Sequence, residues 1–407
     1  MAMFRRLFIL LPIFLSSCIG QSTSTQMLTP TLLPPAVIPS LSPTSSQENT
    51  PFAIDAPEIY PSSTAPPWKH VTVLPNLPNS RLFYETATRI YAIDIDCKEY
   101  QVDCLSDPYS ISPNNGDRGG MNVSPNGQFV AIELVEPYGS LGLQASVRLI
   151  SVAKRQIWSV GLIGTRSPVW SPDSDRIAYI DYLVSGGEFS RVCISTTTDP
   201  LRCFPHSSRF SSLTDLAWSP NGQFISYIEN PDMFYPGELY VIDLDSSQVH
   251  HIADDVSKPI WSPDGKVLFY SRYQEVGSDI LIGANIEQCI DQIASCSKEY
   301  ELQFPYETFT FSPGGNYALI YGENGYGITS SSCILNREQC ADQVKALQLP
   351  SRNKVATSWA PDNRHIAFAY LSELSGGIYV FDIERGETMA IDQLEPTYYQ
   401  NIAWRNQ

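Results

Sequence analysis

The side chains in this sequence that could do chemistry fall into three patterns, and the first is cysteine. Apart from Cys18, eight cysteines form four close pairs. Cys97 with Cys104, Cys289 with Cys296, and Cys333 with Cys340 share C-x6-C spacing, and Cys193 with Cys203 is C-x9-C. Such local pairing favours disulfides between neighbours over the other connectivities that eight cysteines allow. Each pair follows or lies within an apolar strand-like run, as in "RIYAIDIDC" and "SRVCIS", which puts the partners on two strands of a hairpin or across its loop. Closing loops this small stabilises by roughly 2–3 kcal/mol each in the loop-entropy description. Zinc is the competing chemistry, but its sites use shorter C-x2-4-C spacing, often with histidine partners. None of the five histidines sits beside these pairs. Disulfides imply an oxidising, extracytoplasmic compartment.

The second pattern is a carboxylate after proline, at Asp173, Asp264 and Asp362, replaced by Asn126, Asn221 and Gly314 in related turns. One oxygen per turn is too few for calcium, which needs several at close spacing. Asp or Asn after Pro, followed by Gly, is turn chemistry. His250 and His251 are adjacent on an expected strand and so point to opposite faces, while His70, His206 and His365 are scattered. There is no G-x-S-x-G elbow, no H-E-x-x-H and no phosphate-cradling Gly loop. No catalytic residue, metal or cofactor is therefore expected.

The third pattern is cationic. Net charge is −17, which disfavours nucleic acid as a partner. Against that background Arg118, Arg166, Arg209, Lys258, Arg352 and Lys354 recur at one place in the repeat.

Stepping along the chain by the proline of "VWSPDSDRIAYI" gives Pro125, Pro172, Pro220, Pro263, Pro313 and Pro361, spaced 47, 48, 43, 50 and 48 residues apart. "NIAWRNQ" supplies a seventh, partial copy around Trp404. Each unit repeats the order seen from residue 214: "TDLAWSP", "GQFISYIEN", "GELYVIDLD", "QVHHIAD". These pieces are short, β-rich and bounded by Gly, Pro, Asn or Asp, hence four antiparallel strands per unit. Four strands in 40–50 residues is the signature of a propeller blade. The expected fold is all-β: a single β-propeller of seven four-stranded blades over residues 68–407, with six or eight as alternatives. "RLFYE" and "RIYAIDID" near the N-terminus lack a Ser-Pro turn, and "NIAWRN" lacks following strands, so together they complete one blade and leave no open sheet edge. Trp170, Trp218, Trp261, Phe311, Trp359 and Trp404 are the expected anchors between blades.

The N-terminus has Arg5 and Arg6, an apolar run Leu7–Leu15 and then "LSSC", a secretory signal too short to span a bilayer. "LSSC" resembles the lipobox of bacterial lipoproteins, which implies removal of residues 1–17 and acylation of Cys18. Of residues 19–67, 25 are Ser, Thr or Pro and none is Lys or Arg, so 18–67 reads as an extended tether.

The repeats resemble the TolB-like (WD40-like) β-propeller repeat, whose "WSPDGxxIAF…IYVxD" signature matches residues 261–265, 366–368 and 378–382. That resemblance implies a secreted or periplasmic interaction platform, although such propellers also accompany catalytic domains in peptidases. There the propeller precedes a hydrolase domain, whereas this sequence ends on its last propeller strand, so catalysis is not expected.

In propeller geometry the Ser-Pro turns and the cysteine hairpins share one face. The opposite face carries the longer loops 135–146, 181–190, 229–238 and 271–279, with Tyr138, Phe234, Tyr235 and Tyr273 as aromatic binding candidates. The six cations precede the innermost strands and converge on the channel mouth there, as a ring for an anionic ligand or acidic peptide. The expected function is a monomeric extracytoplasmic lipoprotein, on the membrane through its N-terminal lipid alone. Its propeller binds a protein or cell-envelope component without turnover. The alternative is an extracytoplasmic propeller enzyme, a glycan lyase or hydrolase.

Overall fold

The second strand of each repeat is apolar on both sides, and that dictates how the sheets pack. All seven residues of Phe224–Asn230 are buried, which a sheet with one wet face does not allow. Alternate residues of such a strand must meet two different neighbours, so the sheets stack side by side as blades.

The computed structural model describes residues 77–407 apart from 87–88, 97–103, 113–117, 138–142, 162–163, 183–189, 197–201, 206–211, 231–235, 274–279, 292–295, 301–307, 323–324, 336–343, 348–354, 372–375 and 393–398. All of its described elements belong to the unit Asn49–Gln407. The expected signal and tether, Cys18, Cys97, Tyr138, Arg209, Phe234, Tyr235, Cys340, Arg352 and Lys354 lie outside the described residues.

Described strands form five four-stranded sheets and one of seven strands, all antiparallel, and together they make seven blades. The seven-stranded sheet holds two blades because Gln248–Trp261 is 14 residues long. Its first part pairs with Gly237–Asp243 as the outer strand of blade 4, and its second with Val267–Arg272 as the inner strand of blade 5. Blade 1 closes the ring as expected. Tyr399–Asn406 is its innermost strand, followed outward by Ser80–Thr86, Ile90–Ile95 and Tyr109–Ser110. Blades 2, 3, 4, 6 and 7 begin with Arg118–Val123, Thr165–Trp170, Ser212–Trp218, Thr308–Phe311 and Ala356–Trp359. The helices among the described residues are short, Ile286–Asp291 and Ser332–Leu335, each between the third and fourth strands of its blade.

Hydrophobic clusters fill the spaces between successive blades, one at each of the seven junctions. Val130 and Ile132 pack towards blade 1 with Phe83, whereas Ala131 between them packs towards blade 3 with Trp170. The period-two alternation of the strand is thus spent on two interfaces rather than on core and solvent.

The motif tryptophans tie the inner strands together. Trp170 Nε1 donates to Asn122 O (3.1 Å), Trp218 Nε1 to Val169 O (3.2 Å) and Trp359 Nε1 to Thr310 Oγ1 (3.2 Å), each on the inner strand of the preceding blade. Trp261 Nε1 donates to Ser226 Oγ (3.0 Å) and Trp404 Nε1 to Ser80 Oγ (2.7 Å). Phe311 has no N–H to give and packs edge-on against Phe309, 5.4 Å between centroids.

Candidate functional site

The Ser-Pro turns lie where the inner strands end, and their polar groups are consumed internally. Ser124, Ser171, Ser219, Ser262 and Ser312 are buried. Each Oγ accepts the backbone N–H five residues on, as Arg176 N donates to Ser171 Oγ at 2.9 Å. Ser171, Ser219 and Ser262 Oγ donate to Asp173, Asn221 and Asp264. In blade 7 Ala360 replaces the serine, and Asp362 Oδ1 takes the N–H of His365 (3.1 Å).

The residue two after each motif proline has φ between 61° and 75°. Glycine fills this left-handed position in four turns, since it carries no Cβ penalty there. Ser174 and Asn363 fill it in the other two, and both are compensated across a blade junction. Asn126 N donates to Ser174 Oγ (3.0 Å), and Gly314 N donates to Asn363 Oδ1. This face is therefore a stitched ring of turns.

The opposite face is built differently. In blades 2 to 5 a β-bulge breaks the inner-strand register just after Arg118, Arg166, Thr214 and Ser257. At the same repeat position, five residues before the motif proline, φ is positive: Gly120 (112°), Ser167 (51°), Asp215 (51°) and Lys258 (56°). Bulges and left-handed non-glycine residues concentrate where a fold aims side chains at a function. Only Gly120 hints at this in the sequence; Ser, Asp and Lys give no such signal.

Arg118, Arg166 and Lys258 occupy this bulged end, with Arg166 and Lys258 exposed. The Arg166 guanidinium stands 5.4 Å from the Tyr182 ring centroid. Burial pushes the Tyr182 phenol up, and the Arg166 charge partly offsets it. Tyr273, directly after Val267–Arg272, is 52% exposed and is the exposed large hydrophobic among the described residues. Acids at this end carry no signal in the sequence. Second strands of blades 1 to 4 carry Glu85, Glu133, Asp181 and Glu229 at this same end. Glu133 Oε2 accepts Ser167 N at the bulge (3.1 Å), Glu85 Oε2 accepts Asn401 Nδ2 (2.6 Å), and Asp181 pairs with Arg191 (2.7 Å). The face is of mixed charge.

Cys193 and Cys203 are cross-strand partners with sulfurs 2.07 Å apart, and Cys289 and Cys296 have the same separation across the third-to-fourth connection of blade 5. Cys104 and Cys333, in the matching connections of blades 1 and 6, are also in disulfides.

Two groups of metal-ligand type occur among the described residues. Asp181 with Cys193 and Cys203 is one, but those sulfurs are bonded to each other. Glu238, His251 and Asp254 on the outer strands of blade 4 bring one atom each within 4.8 Å of the others. His251 Nε2 is 3.0 Å from Asp254 Oδ1, and Tyr240 Oη donates to Glu238 Oε2 (2.6 Å).

His365, isolated in sequence, is brought between two carboxylates. Its Nδ1 is 2.6 Å from Asp362 Oδ2, and its Nε2 is 3.6 Å from Asp382 Oδ2. Burial opposes ionisation of Asp382, but hydrogen bonds from the Arg364 side chain and Arg385 backbone, with the His365 and Arg364 charges, hold its carboxyl below the usual range. His365 and Asp382 are both fully buried, so this network fastens blade 7 rather than meeting a substrate.

No family model matches the sequence. The chain is 28% identical over 112 residues to an uncharacterized peptidase, YuxL, of Bacillus subtilis (strain 168); the stretch is 26% of this chain and 17% of that protein. Among solved structures, prolyl endopeptidases align over 80% of this chain and 50% of theirs, with 12% identity and a TM-score of 0.56. An oligogalacturonate lyase in complex with manganese aligns over 75% and 82%, with 13% identity and a TM-score of 0.50. TolB from Acinetobacter baumannii aligns over 79% and 81%, with 16% identity and a TM-score of 0.45. The chain folds as a β-propeller. At these identities the likeness concerns the fold, which hosts binding proteins and enzymes alike.

Proposed function

We propose that this protein is an extracytoplasmic lipoprotein, acylated at Cys18, whose propeller is a non-catalytic binding platform for a protein or cell-envelope component. The supporting observation is the bulged face. It combines exposed cations at Arg166 and Lys258, buried acids at the same end of the second strands (Glu85, Asp181 and Glu229) and an exposed Tyr273. Mixed charge with an aromatic anchor suits a protein surface, where complementarity supplies specificity and on-rate. Arg118 belongs to the same face, and Arg209, Arg352, Lys354, Tyr138, Phe234 and Tyr235 are assigned to it by repeat position. The cysteine pairs at disulfide distance, Cys193 with Cys203 and Cys289 with Cys296, accord with an oxidising compartment.

The test is crosslinking and affinity capture from membranes with the full chain, comparing wild type with the triple variant Arg166→Glu, Lys258→Glu and Tyr273→Ser. The variant should lose an enriched envelope partner while its thermal melt is unchanged, and Cys18→Ser should move the protein to the soluble fraction. Equal capture by both proteins, or turnover of a glycan or peptide, overturns the reading. Turnover would favour the second reading, an extracytoplasmic glycan lyase or hydrolase, which the fold likeness to enzymes keeps in view.

A further inference from the structure

The turn face holds a cavity of about 480 Å³, formed by residues of blades 1, 2, 6 and 7. Phe311, Trp359, Trp404 and Pro361 give it aromatic and proline walls, Thr357 adds a hydroxyl, and Arg405 supplies its charge. Arg405 occupies an unusual place in the repeat. It follows Trp404 as Ser171 follows Trp170, so a cation stands where five other repeats bury the turn serine.

Nothing described in the protein neutralises this cation. Arg405 Nη1 donates to Trp404 O at 2.9 Å, while Nε is sealed from solvent and has no hydrogen-bond partner. Among the described residues, no carboxylate lines the cavity. Burial pushes the guanidinium pKa down to about 10, and no acid offsets that shift. The other described arginines in ion pairs, Arg81, Arg176, Arg191, Arg364 and Arg385, all have an aspartate within 4 Å. A half-buried cation with its Nε sealed and no counter-charge is costly to keep. An anion from outside would complete the arrangement.

We infer that this cavity is a binding site for a monoanionic carboxylate with an apolar body, held by Arg405. The guanidinium fork matches a planar carboxylate bidentately. A single cation balances a single negative charge, whereas a phosphate dianion would leave charge uncompensated among apolar walls. The volume falls in the range of small-molecule sites, which are mostly apolar with a few placed polar groups. Such a carboxylate could be a free acid or the C-terminus of a peptide. The site is independent of the partner proposed above, because it lies at the opposite ends of the inner strands.

The experiment titrates the full chain with phenylacetate and its neutral isostere phenylacetamide, following tryptophan fluorescence and melting temperature, since Trp359 and Trp404 line the cavity. Phenylacetate should bind at least about tenfold more tightly than the amide, the scale of one charge-assisted hydrogen bond. Arg405→Met should abolish that preference with an unchanged circular dichroism spectrum, and Arg405→Lys should retain only part of it. N-acetyl-glycyl-phenylalanine and its C-terminal amide form a second arm. Tighter binding of the peptide acid than of phenylacetate identifies a chain terminus as the ligand, and the reverse identifies a free acid. Equal binding of acid and amide, unaltered binding by Arg405→Met, or no saturable binding of either acid up to about 10 mM overturns the inference. Should Arg405→Met fail to fold, the acid-against-amide comparison on the unaltered chain decides it.

Discussion

Replacing Trp404 with Ala tests the closure of the ring. Its side chain is 1% exposed, and it donates to Ser80 Oγ, itself fully buried. Removing a buried indole of this size costs about 3–5 kcal/mol through lost transfer energy and the cavity left behind. The lost hydrogen bond adds about 1 kcal/mol, since Ser80 Oγ still donates to Pro78 O at 2.6 Å. Trp170→Ala removes a similarly buried indole, bonded to Asn122 O, and should cost about the same 3–5 kcal/mol. The two differ in where the loss appears. Strand Tyr399–Asn406 joins Ser80–Thr86 by non-covalent pairing between distant parts of the chain, so its release opens the ring; Thr165–Trp170 runs through its motif turn directly into its partner strand Arg176–Tyr182.

Urea unfolding measures the size of the effect, and hydrogen exchange read by mass spectrometry measures its location. In Trp404→Ala, amides of 80–86 and 399–406 should exchange well ahead of the other inner strands. Trp170→Ala should show no such excess there, and Trp404→Phe should recover all but about 1–2 kcal/mol. A loss below about 1 kcal/mol in Trp404→Ala, or uniform exchange across all blades, would refute the argument that this strand is the joint.

Three further outcomes follow from the same geometry. Lys258→Gly should leave stability level or slightly raised, whereas Lys258→Val should lower it by about 1–2 kcal/mol, because a β-branched residue resists φ of 56°; equal melts for the two would contradict this. Ser171→Ala should cost about 1–2 kcal/mol by stranding the N–H of Arg176, a loss read from the urea midpoint, and an unchanged midpoint would mean Asp173 has replaced the hydroxyl as Asp362 does in blade 7. The Asp382 and Asp362 carboxyls are both held below the ordinary range, so their contribution is complete above about pH 4 and is lost as pH falls through the depressed values. Arg364→Met should therefore weaken the protein at pH 7 by about 2–3 kcal/mol and flatten its stability profile below pH 4, whereas parallel profiles would show that Arg364 does not hold Asp382 ionised.

Much of the architecture was legible in the sequence because it is periodic. The proline spacing, the Trp-Ser-Pro turn and the four short strands per unit are local signals, and repetition makes each copy confirm the others. Even the closure could be read, since "RLFYE" lacked a first strand and "NIAWRN" lacked its followers. The motif serine and aspartate were separable from an active site for the same reason: turn chemistry recurs at every blade, whereas a site need not.

What the sequence could not show arises where residues far apart in the chain, or unmarked backbone angles, come together. His365 looked isolated until folding set it against Asp382 and beneath Trp404. The left-handed bulges at Ser167, Asp215 and Lys258 use residue types that do not announce a positive φ. The second-strand acids sit in apolar runs where they read as interruptions, and only the common orientation of the blades brings them to the same end as the cations. Arg405 shows the division most clearly. Its position after Trp404 is written in the repeat, but its half-buried place in a cavity without a described counter-charge depends on blades 2, 6 and 7 meeting beside it. Local chemistry chose the blade; the meeting of the blades created the site.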